Sequence, residues 1–175
     1  MISENLTSSV VSAVADCLKK AQQVVIFTHM SPDGDAMGSS LGLAHYLRTL
    51  GLTVTNIVPN AFPSFLAWMP GADQVLVYEA NAATADLAIE QADLLICTDF
   101  NEPKRIGALG QRLISAVESG KPCMVFDHHL ADLNADFLTR CVLGCIDHTS
   151  PAASALVFQM VLELGGEVTT NAATC

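Results

Sequence analysis

Acidic and histidine side chains follow three separate apolar segments of this sequence. His29 comes directly after the run VVIFT, Asp99 directly after LLICT, and Asp127, His128 and His129 directly after MVF. Buried parallel strands are continuous apolar runs of this kind, and their carboxyl ends meet at one edge of the sheet, where ligands bind. The sequence therefore predicts that these side chains lie close together.

Two further carboxylates, Asp33 and Asp35, follow His29 in the turn SPDGD. Carboxylates this close do not all stay ionised unless a cation binds among them. Imidazole with carboxylate oxygen suits manganese, iron, cobalt or zinc better than calcium. Because paired ions about 3.5–4 Å apart are usual for displacement at phosphorus, we expect a two-metal site in which Asp99 bridges the ions.

The segments around these residues alternate between strand and helix patterns, which predicts an α/β fold with a parallel, doubly wound sheet and helices on both faces. Chain breakers such as Pro32 and Gly51 separate the elements. Strands are predicted at 22–29, 52–58, 74–79, 93–99, 122–127 and 141–146. Helices are predicted at 6–20, 36–50, 82–91, 109–119 and 151–164, the last with Pro151 in its first turn.

The composition sets limits on the function. With 175 residues, 51% of them hydrophobic, the chain suits one domain with a substantial core. A net charge of −10 argues against binding of long nucleic acid by this domain alone. Two divalent ions would add four positive charges at the acidic site, so a small or short phosphate ester fits as substrate.

Other features indicate a cytoplasmic protein without a membrane segment. The apolar runs are too short to cross a bilayer, and residues 1–7 do not resemble a signal peptide. Without secretion the six cysteines are expected to be reduced. Cys141, Cys145 and His148 have a spacing that zinc could use, but no fourth ligand is evident. The sequence leaves a homodimer open.

Taken together, the motifs resemble the DHH phosphoesterase family. HMSPDGDAMGSSLGLAHYLRTLG resembles its first motif, LLICTDFNEPKRIG its second and VFDHH its third. IDHTSPAASALVFQMVLELG is similar to the following helix in the subfamily of bifunctional oligoribonucleases and 3′-phosphoadenosine 5′-phosphate phosphatases. By this resemblance 1–175 is a DHH catalytic domain truncated at its C-terminal end, without the fourth motif's metal-binding Asp and without the C-terminal substrate-binding domain.

The resemblance also implies two Mn²⁺ ions. His29, Asp33 and Asp99 would hold one, and Asp35, Asp99 and His128 the other. His129 would contact the scissile phosphate as a catalytic and substrate-binding residue, and Ser39, at the start of the helix, would help to bind the anion. The implied reaction is hydroxide attack on phosphorus, with short oligonucleotides (nanoRNA), 3′-phosphoadenosine 5′-phosphate or both as substrates.

Several alternatives stay open from sequence. Within the family they are a cyclic dinucleotide phosphodiesterase, a single-strand exonuclease and an inorganic pyrophosphatase or exopolyphosphatase-like hydrolase. A non-catalytic nucleotide-binding regulatory domain is an alternative of another class. Gly38, Ser40 and Gly42 match the G-x-S-x-G of serine hydrolases, but here the pentapeptide falls inside a predicted helix rather than on a strand-to-helix turn. Arg105 is expected to pair with a carboxylate, and Trp68 to lie in the core or an interface.

Overall fold

The computed structural model describes residues 2–175 and contains one seven-stranded sheet in which every strand pair is parallel. The central strands consist almost wholly of buried β-branched and apolar residues, as expected for a sheet covered on both faces. The strands are β1 (Ile2–Ser3), β2 (Gln23–Phe27), β3 (Thr53–Val58), β4 (Leu76–Val77), β5 (Leu94–Thr98), β6 (Cys123–Asp127) and β7 (Leu143–Ile146).

The strand order is β1-β7-β6-β5-β2-β3-β4. The chain builds outward from β2 through β3 to β4, and then returns to the other side of β2 to build β5, β6 and β7. The order therefore reverses between β2 and β5, whose residues pair from Val24 with Leu94 to Phe27 with Cys97. In open α/β sheets this switch point opens a crevice at the carboxyl ends of the strands.

Helices cover both faces, which confirms the predicted doubly wound architecture. One face packs against α1 (Ser8–Leu18), α2 (Gly34–Thr49) and α6 (Ala153–Glu163). The other face packs against α3 (Tyr78–Gln91), α4 (Leu109–Glu118) and α5 (Asp136–Arg140), and α7 (Thr170–Thr174) lies against α2. No helix within residues 2–175 is long and apolar enough to cross a membrane.

The structure corrects the predicted elements in several places. The strand predicted at 74–79 is only Leu76–Val77, because α3 already begins at Tyr78 and bends at Asn81. Pro151 precedes α6 rather than standing in its first turn. The short elements β1 and α5 were not predicted, because two and five residues carry too little periodicity to be recognised.

Trp68 was expected in the core or an interface, but its side chain is 64% exposed within this chain. It lies after a short 3₁₀ helix (Ser64–Leu66) in the irregular segment that follows β3. Leu66 and Met69 of that segment are buried and pack in one cluster with Met37 and Leu41 of α2. The prediction of a core position for Trp68 is wrong, and an interface position stays a prediction.

Candidate metal centre

Three neighbouring strands bring the predicted ligands to the switch point. His29 stands two residues beyond β2, Asp99 directly beyond β5 and His128 directly beyond β6. Asp99 has a positive φ of 64°, a conformation that few non-glycine residues adopt. Its N–H donates to the Phe126 carbonyl oxygen at 2.9 Å, which fixes the bend against β6. The sharp turn leaves the Asp99 side chain between the two histidines.

The Asp99 carboxylate has the geometry of a bridge. One oxygen, Oδ2, lies 3.3 Å from His29 Nε2, and the other, Oδ1, lies 3.4 Å from His128 Nε2. The residue is 1% exposed, and Oδ1 is buried without a hydrogen-bond partner among the described residues. A buried carboxylate oxygen without a partner is costly. A cation on each side of Asp99 would satisfy it.

Both histidines present Nε2 to the carboxylates because their other ring nitrogen is engaged. His29 Nδ1 lies 2.9 Å from the Met30 carbonyl oxygen, and His128 Nδ1 lies 3.3 Å from the Ser150 carbonyl oxygen. A carbonyl only accepts, so each ring donates its Nδ1–H, and the neutral form of the ring has its lone pair on Nε2. Metal-binding histidines are oriented by this kind of hydrogen bond.

Asp33 and Asp35 enter the site from the start of α2. Asp33 is the N-cap of α2, and its Oδ1 accepts from the N–H groups of Asp35 and Ala36, both at 3.0 Å. The same oxygen is 4.0 Å from His29 Nε2. Asp35 Oδ2 lies 3.6 Å from His128 Nε2. Each aspartate is therefore next to one of the two histidines.

Asp35 is held by a part of the chain that sequence reasoning did not connect with it. Its two oxygens accept from the N–H groups of Ala153 at 2.7 Å and Ser154 at 2.8 Å, at the start of α6. A helix N-terminus stabilises a carboxylate through free N–H groups and its dipole. The only sign of this contact in the sequence was the predicted helix at 151–164, which follows the end of the predicted strand at 141–146.

Asp127 supports the third histidine. It is fully buried, and its Oδ1 accepts from His129 Nδ1 at 2.8 Å and from the His128 and His129 N–H groups at 2.8 and 3.3 Å. Its Oδ2 accepts from Asn101 Nδ2 at 2.6 Å. The hydrogen bond at Nδ1 directs His129 Nε2 away from Asp127, and the side chain is 48% exposed. Sequence reasoning missed the roles of Asp127 and Asn101.

The protonation of this centre agrees with a site built for cations. The hydrogen bond that His29 donates to the Asp99 carboxylate raises the pKa of His29, although burial opposes the shift. Burial raises the pKa of Asp99, and the bond from His29 only partly offsets it. A metal-free centre therefore tends to hold a proton between Asp99 and His29, and a divalent ion would replace that proton.

The donor set fits two divalent ions. Potential ligand atoms of His29, Asp33 and Asp99 lie within 4.8 Å of one another, as do those of Asp99, His128 and His129. Asp99 is common to both groups. His129 Nδ1 is paired with Asp127. Asp35 belongs to neither group, although its Oδ2 lies 3.6 Å from His128 Nε2. Mixed imidazole and carboxylate donors suit manganese.

The structure contradicts the expected role of Ser39 and also argues against Ser40 as a nucleophile. Ser39 lies in the second turn of the helix, is 1% exposed and donates its hydroxyl to the Ala36 carbonyl oxygen. It does not stand at the helix start, so it cannot offer a free N–H to an anion. Ser40 is equally buried and donates to the Met37 carbonyl. This geometry removes the serine-hydrolase alternative, since Ser40 is inaccessible as a nucleophile.

Two other sequence expectations concern Arg105 and the cysteines. The Arg105 side chain forms no ion pair within residues 2–175, so the expected pairing with a carboxylate is wrong. All six cysteines are free in the described chain, as predicted. Cys141 lies between α5 and β7, Cys145 lies in β7, and both are buried. Within residues 2–175, neither belongs to a group that could hold a metal ion.

Comparison with known proteins agrees with this geometry. A model of the DHH family, N-terminal domain, matches residues 23–175. The bifunctional oligoribonuclease and PAP phosphatase NrnA of Thermus thermophilus is 40% identical over 166 residues, which are 92% of this chain and 43% of that protein. A probable manganese-dependent inorganic pyrophosphatase of Streptococcus thermophilus is 27% identical over 156 residues, 86% of this chain and 44% of that protein.

A solved structure is also similar. An exopolyphosphatase-related protein from Bacteroides fragilis superposes with a TM-score of 0.88 at 36% identity, over 95% of this chain and 47% of that one. The chain thus spans less than half the length of the curated relatives it matches. The family model covers most of the sequence and includes every residue of the centre described above. This chain belongs to the DHH family and contains the family's N-terminal domain.

Proposed function

We propose that this domain is the metal-binding part of a manganese-dependent phosphoesterase that hydrolyses short oligonucleotides, 3′-phosphoadenosine 5′-phosphate or both. The single observation that supports it best is the buried Asp99 carboxylate between the Nε2 atoms of His29 and His128, with one oxygen lacking a partner in the described chain. A structural carboxylate would be paired at this depth. A carboxylate that bridges two cations needs this arrangement.

In the proposed site His29, Asp33 and Asp99 hold one ion, and Asp35, Asp99 and His128 hold the other. When bound, the two divalent ions supply a nucleophile at neutral pH and stabilise charge that develops on phosphorus. The chain fixes the ligands beforehand. Carbonyl oxygens orient both imidazoles, and the N–H groups at the start of α6 hold Asp35 in place.

We assign His129 to the scissile phosphate. Its Nδ1–H donates to the buried Asp127 carboxylate at 2.8 Å, which fixes the orientation of the ring. The His129 side chain is half exposed and lies next to Asp99 and His128. When Nε2 carries a proton, an imidazole at this place can donate a hydrogen bond to a phosphate oxygen, where charge grows during attack. Asp127 and Asn101 act through His129 and are positioning residues.

The choice of substrate rests on the relatives. The NrnA relative is named for oligoribonuclease and PAP phosphatase activity and is 40% identical. The pyrophosphatase relatives are 27–29% identical, so pyrophosphate is the second candidate. The net charge of −10 argues against long nucleic acid at this domain.

The test is hydrolysis by the purified chain with Mn²⁺. The panel contains di- to pentanucleotides, 3′-phosphoadenosine 5′-phosphate, a cyclic dinucleotide and pyrophosphate, and product is measured as nucleotide or inorganic phosphate. We expect release from the first two classes, loss of turnover with a chelator and recovery with Mn²⁺. Preference for pyrophosphate by tenfold or more in kcat/KM would replace the proposed substrate class.

Two histidine variants distinguish the loss of a metal ligand from the effect of replacing any histidine. His128→Gln removes a proposed ligand and is expected to lower kcat/KM by about two orders of magnitude or more. His148→Gln changes an exposed histidine that belongs to no metal-binding group in the described chain, and is expected to leave the rate unchanged. Equal rates for both variants would contradict the proposal.

A further inference from the structure

A small cavity opens beside His129, and it contains a basic residue that the proposed metal centre does not use. The cavity has a volume of about 210 Å³ and is lined by residues that include Asn101, Glu102, Arg105, His129 and Leu130. Drug-sized ligands occupy pockets of roughly 300–1,000 Å³. This space therefore suits a single chemical group better than a whole nucleotide.

Arg105 is unusual among the eight basic residues of this acidic chain. Six of the other basic side chains contact a carboxylate or a backbone carbonyl within residues 2–175. These six are Lys19, Arg48, Lys104, Arg112, Lys121 and Arg140. Lys20 has none, but it lies between α1 and β2, at the opposite edge of the sheet. Arg105 is the remaining basic residue without a partner in the described chain, and it lines the cavity at the metal edge.

The backbone at Arg105 is fixed relative to the metal centre. Its carbonyl oxygen accepts from the Met30 N–H at 2.8 Å, and Met30 directly follows His29. Arg105 itself lies in a 3₁₀ helix (Pro103–Ile106) that begins with proline, which limits backbone freedom. Two acidic residues line the same cavity, and both have partners: Glu102 is ion-paired with Lys104, and the Asp127 oxygens accept from His129 Nδ1 and Asn101 Nδ2. The guanidinium is therefore free for a ligand.

We infer that Arg105 binds a second phosphate of the substrate, the one that is not cleaved, and so selects substrates with two phosphates. This inference rests on the proposed function. A guanidinium matches phosphate oxygens with two parallel N–H bonds, which a lysine cannot do. The scissile phosphate would lie at His129 and the second in the adjoining cavity, so Arg105 sets specificity and the metal centre performs the reaction.

Binding of phosphonates tests the subsite without hydrolysis, because their C–P bonds are not cleaved as esters. Propane and hexane bisphosphonate are compared with propyl- and hexylphosphonate by calorimetry in Mn²⁺ buffer. We expect wild-type protein to bind at least one bisphosphonate at least tenfold more tightly than its monophosphonate, since a hydrogen bond to a charged group typically contributes about that factor. Arg105→Gln should remove this preference and leave monophosphonate binding unchanged, and Arg105→Lys should be intermediate.

Arg112→Gln is the matched control, because Arg112 is also exposed but is paired with Asp86 on α3. It should keep the wild-type ratio. An unchanged ratio in Arg105→Gln overturns the inference, as does a wild-type protein without preference or an equal loss for both probes. Hydrolysis of the natural substrates is measured separately, so a chain that binds bisphosphonates but cleaves nothing would contradict the proposed function and leave the subsite standing.

Discussion

Replacing Asp99 by Asn is the most direct test of the bridging carboxylate. The substitution keeps the size of the side chain but turns one oxygen into an N–H donor and removes the charge shared by both proposed ions. Because Asp99 lies between His29 and His128, both sites lose a ligand at once. We therefore expect the variant to lose nearly all of its stabilisation by Mn²⁺.

The size of the effect follows from linkage. At a free Mn²⁺ concentration 100 times the Kd, a site present only in the folded chain adds about 2.7 kcal/mol. For a domain of this size each kcal/mol shifts Tm by about 2–4 °C. Each occupied site is therefore expected to raise the wild-type Tm by about 5–11 °C. The same Mn²⁺ concentration is expected to raise the Tm of Asp99→Asn by less than about 2 °C.

The metal-free proteins should show the opposite order. Burial raises the pKa of Asp99, so its ionised form destabilises the metal-free fold at neutral pH. Asp99→Asn removes that charge and should match or exceed the metal-free wild-type Tm. A variant that was only misfolded would be less stable under both conditions.

The assay is thermal unfolding followed by circular dichroism, with chelator and across a Mn²⁺ titration into the millimolar range. The control is Asp73→Asn, which makes the same charge change at an exposed residue that forms no ion pair in the described chain. It should keep the full wild-type shift. A bridging role for Asp99 is refuted if Asp99→Asn keeps that shift, or if the wild-type Tm does not respond to Mn²⁺.

Three further predictions concern protonation, positioning and packing. The pKa values of His29 and Asp99 are both raised in the fold. Relative to Asp99→Asn, the metal-free wild-type protein should therefore be most stable below about pH 4, and its free energy of unfolding should fall as the pH rises through the two raised pKa values. Denaturant titrations at a series of pH values measure this difference. Asp127→Asn should lower kcat by tenfold or more, whereas the Mn²⁺ affinity measured by calorimetry should change less than threefold. A loss of Mn²⁺ affinity as large as the loss of kcat would contradict a positioning role for Asp127. Gly144→Ala should lower the free energy of unfolding by about 1–3 kcal/mol, because its Cβ would lie 2.6 Å from the Val125 carbonyl oxygen; an unchanged denaturant midpoint would contradict this packing.

The sequence was sufficient to predict where the centre lies. His29, Asp99 and His128 each follow an apolar run, and parallel strands necessarily bring their carboxyl ends to one edge. The doubly wound sheet followed from the same pattern, because strands covered on both faces are apolar throughout. Short elements such as β1 and β4 were missed or misjudged, since pairing with a neighbouring strand, rather than their own sequence, makes them strands.

Tertiary structure decided which polar groups contact one another. The two hydrogen bonds from the start of α6 to Asp35 join residues 118 and 119 positions apart, and no local pattern encodes such a separation. Ser39 is buried because α2 begins at Gly34, a boundary set by the Asp33 cap. Arg105 lacks a partner because the fold places its side chain on the cavity beside His129. Periodicity predicts the faces and ends of elements, whereas the contacts between distant side chains exist only after the elements have packed.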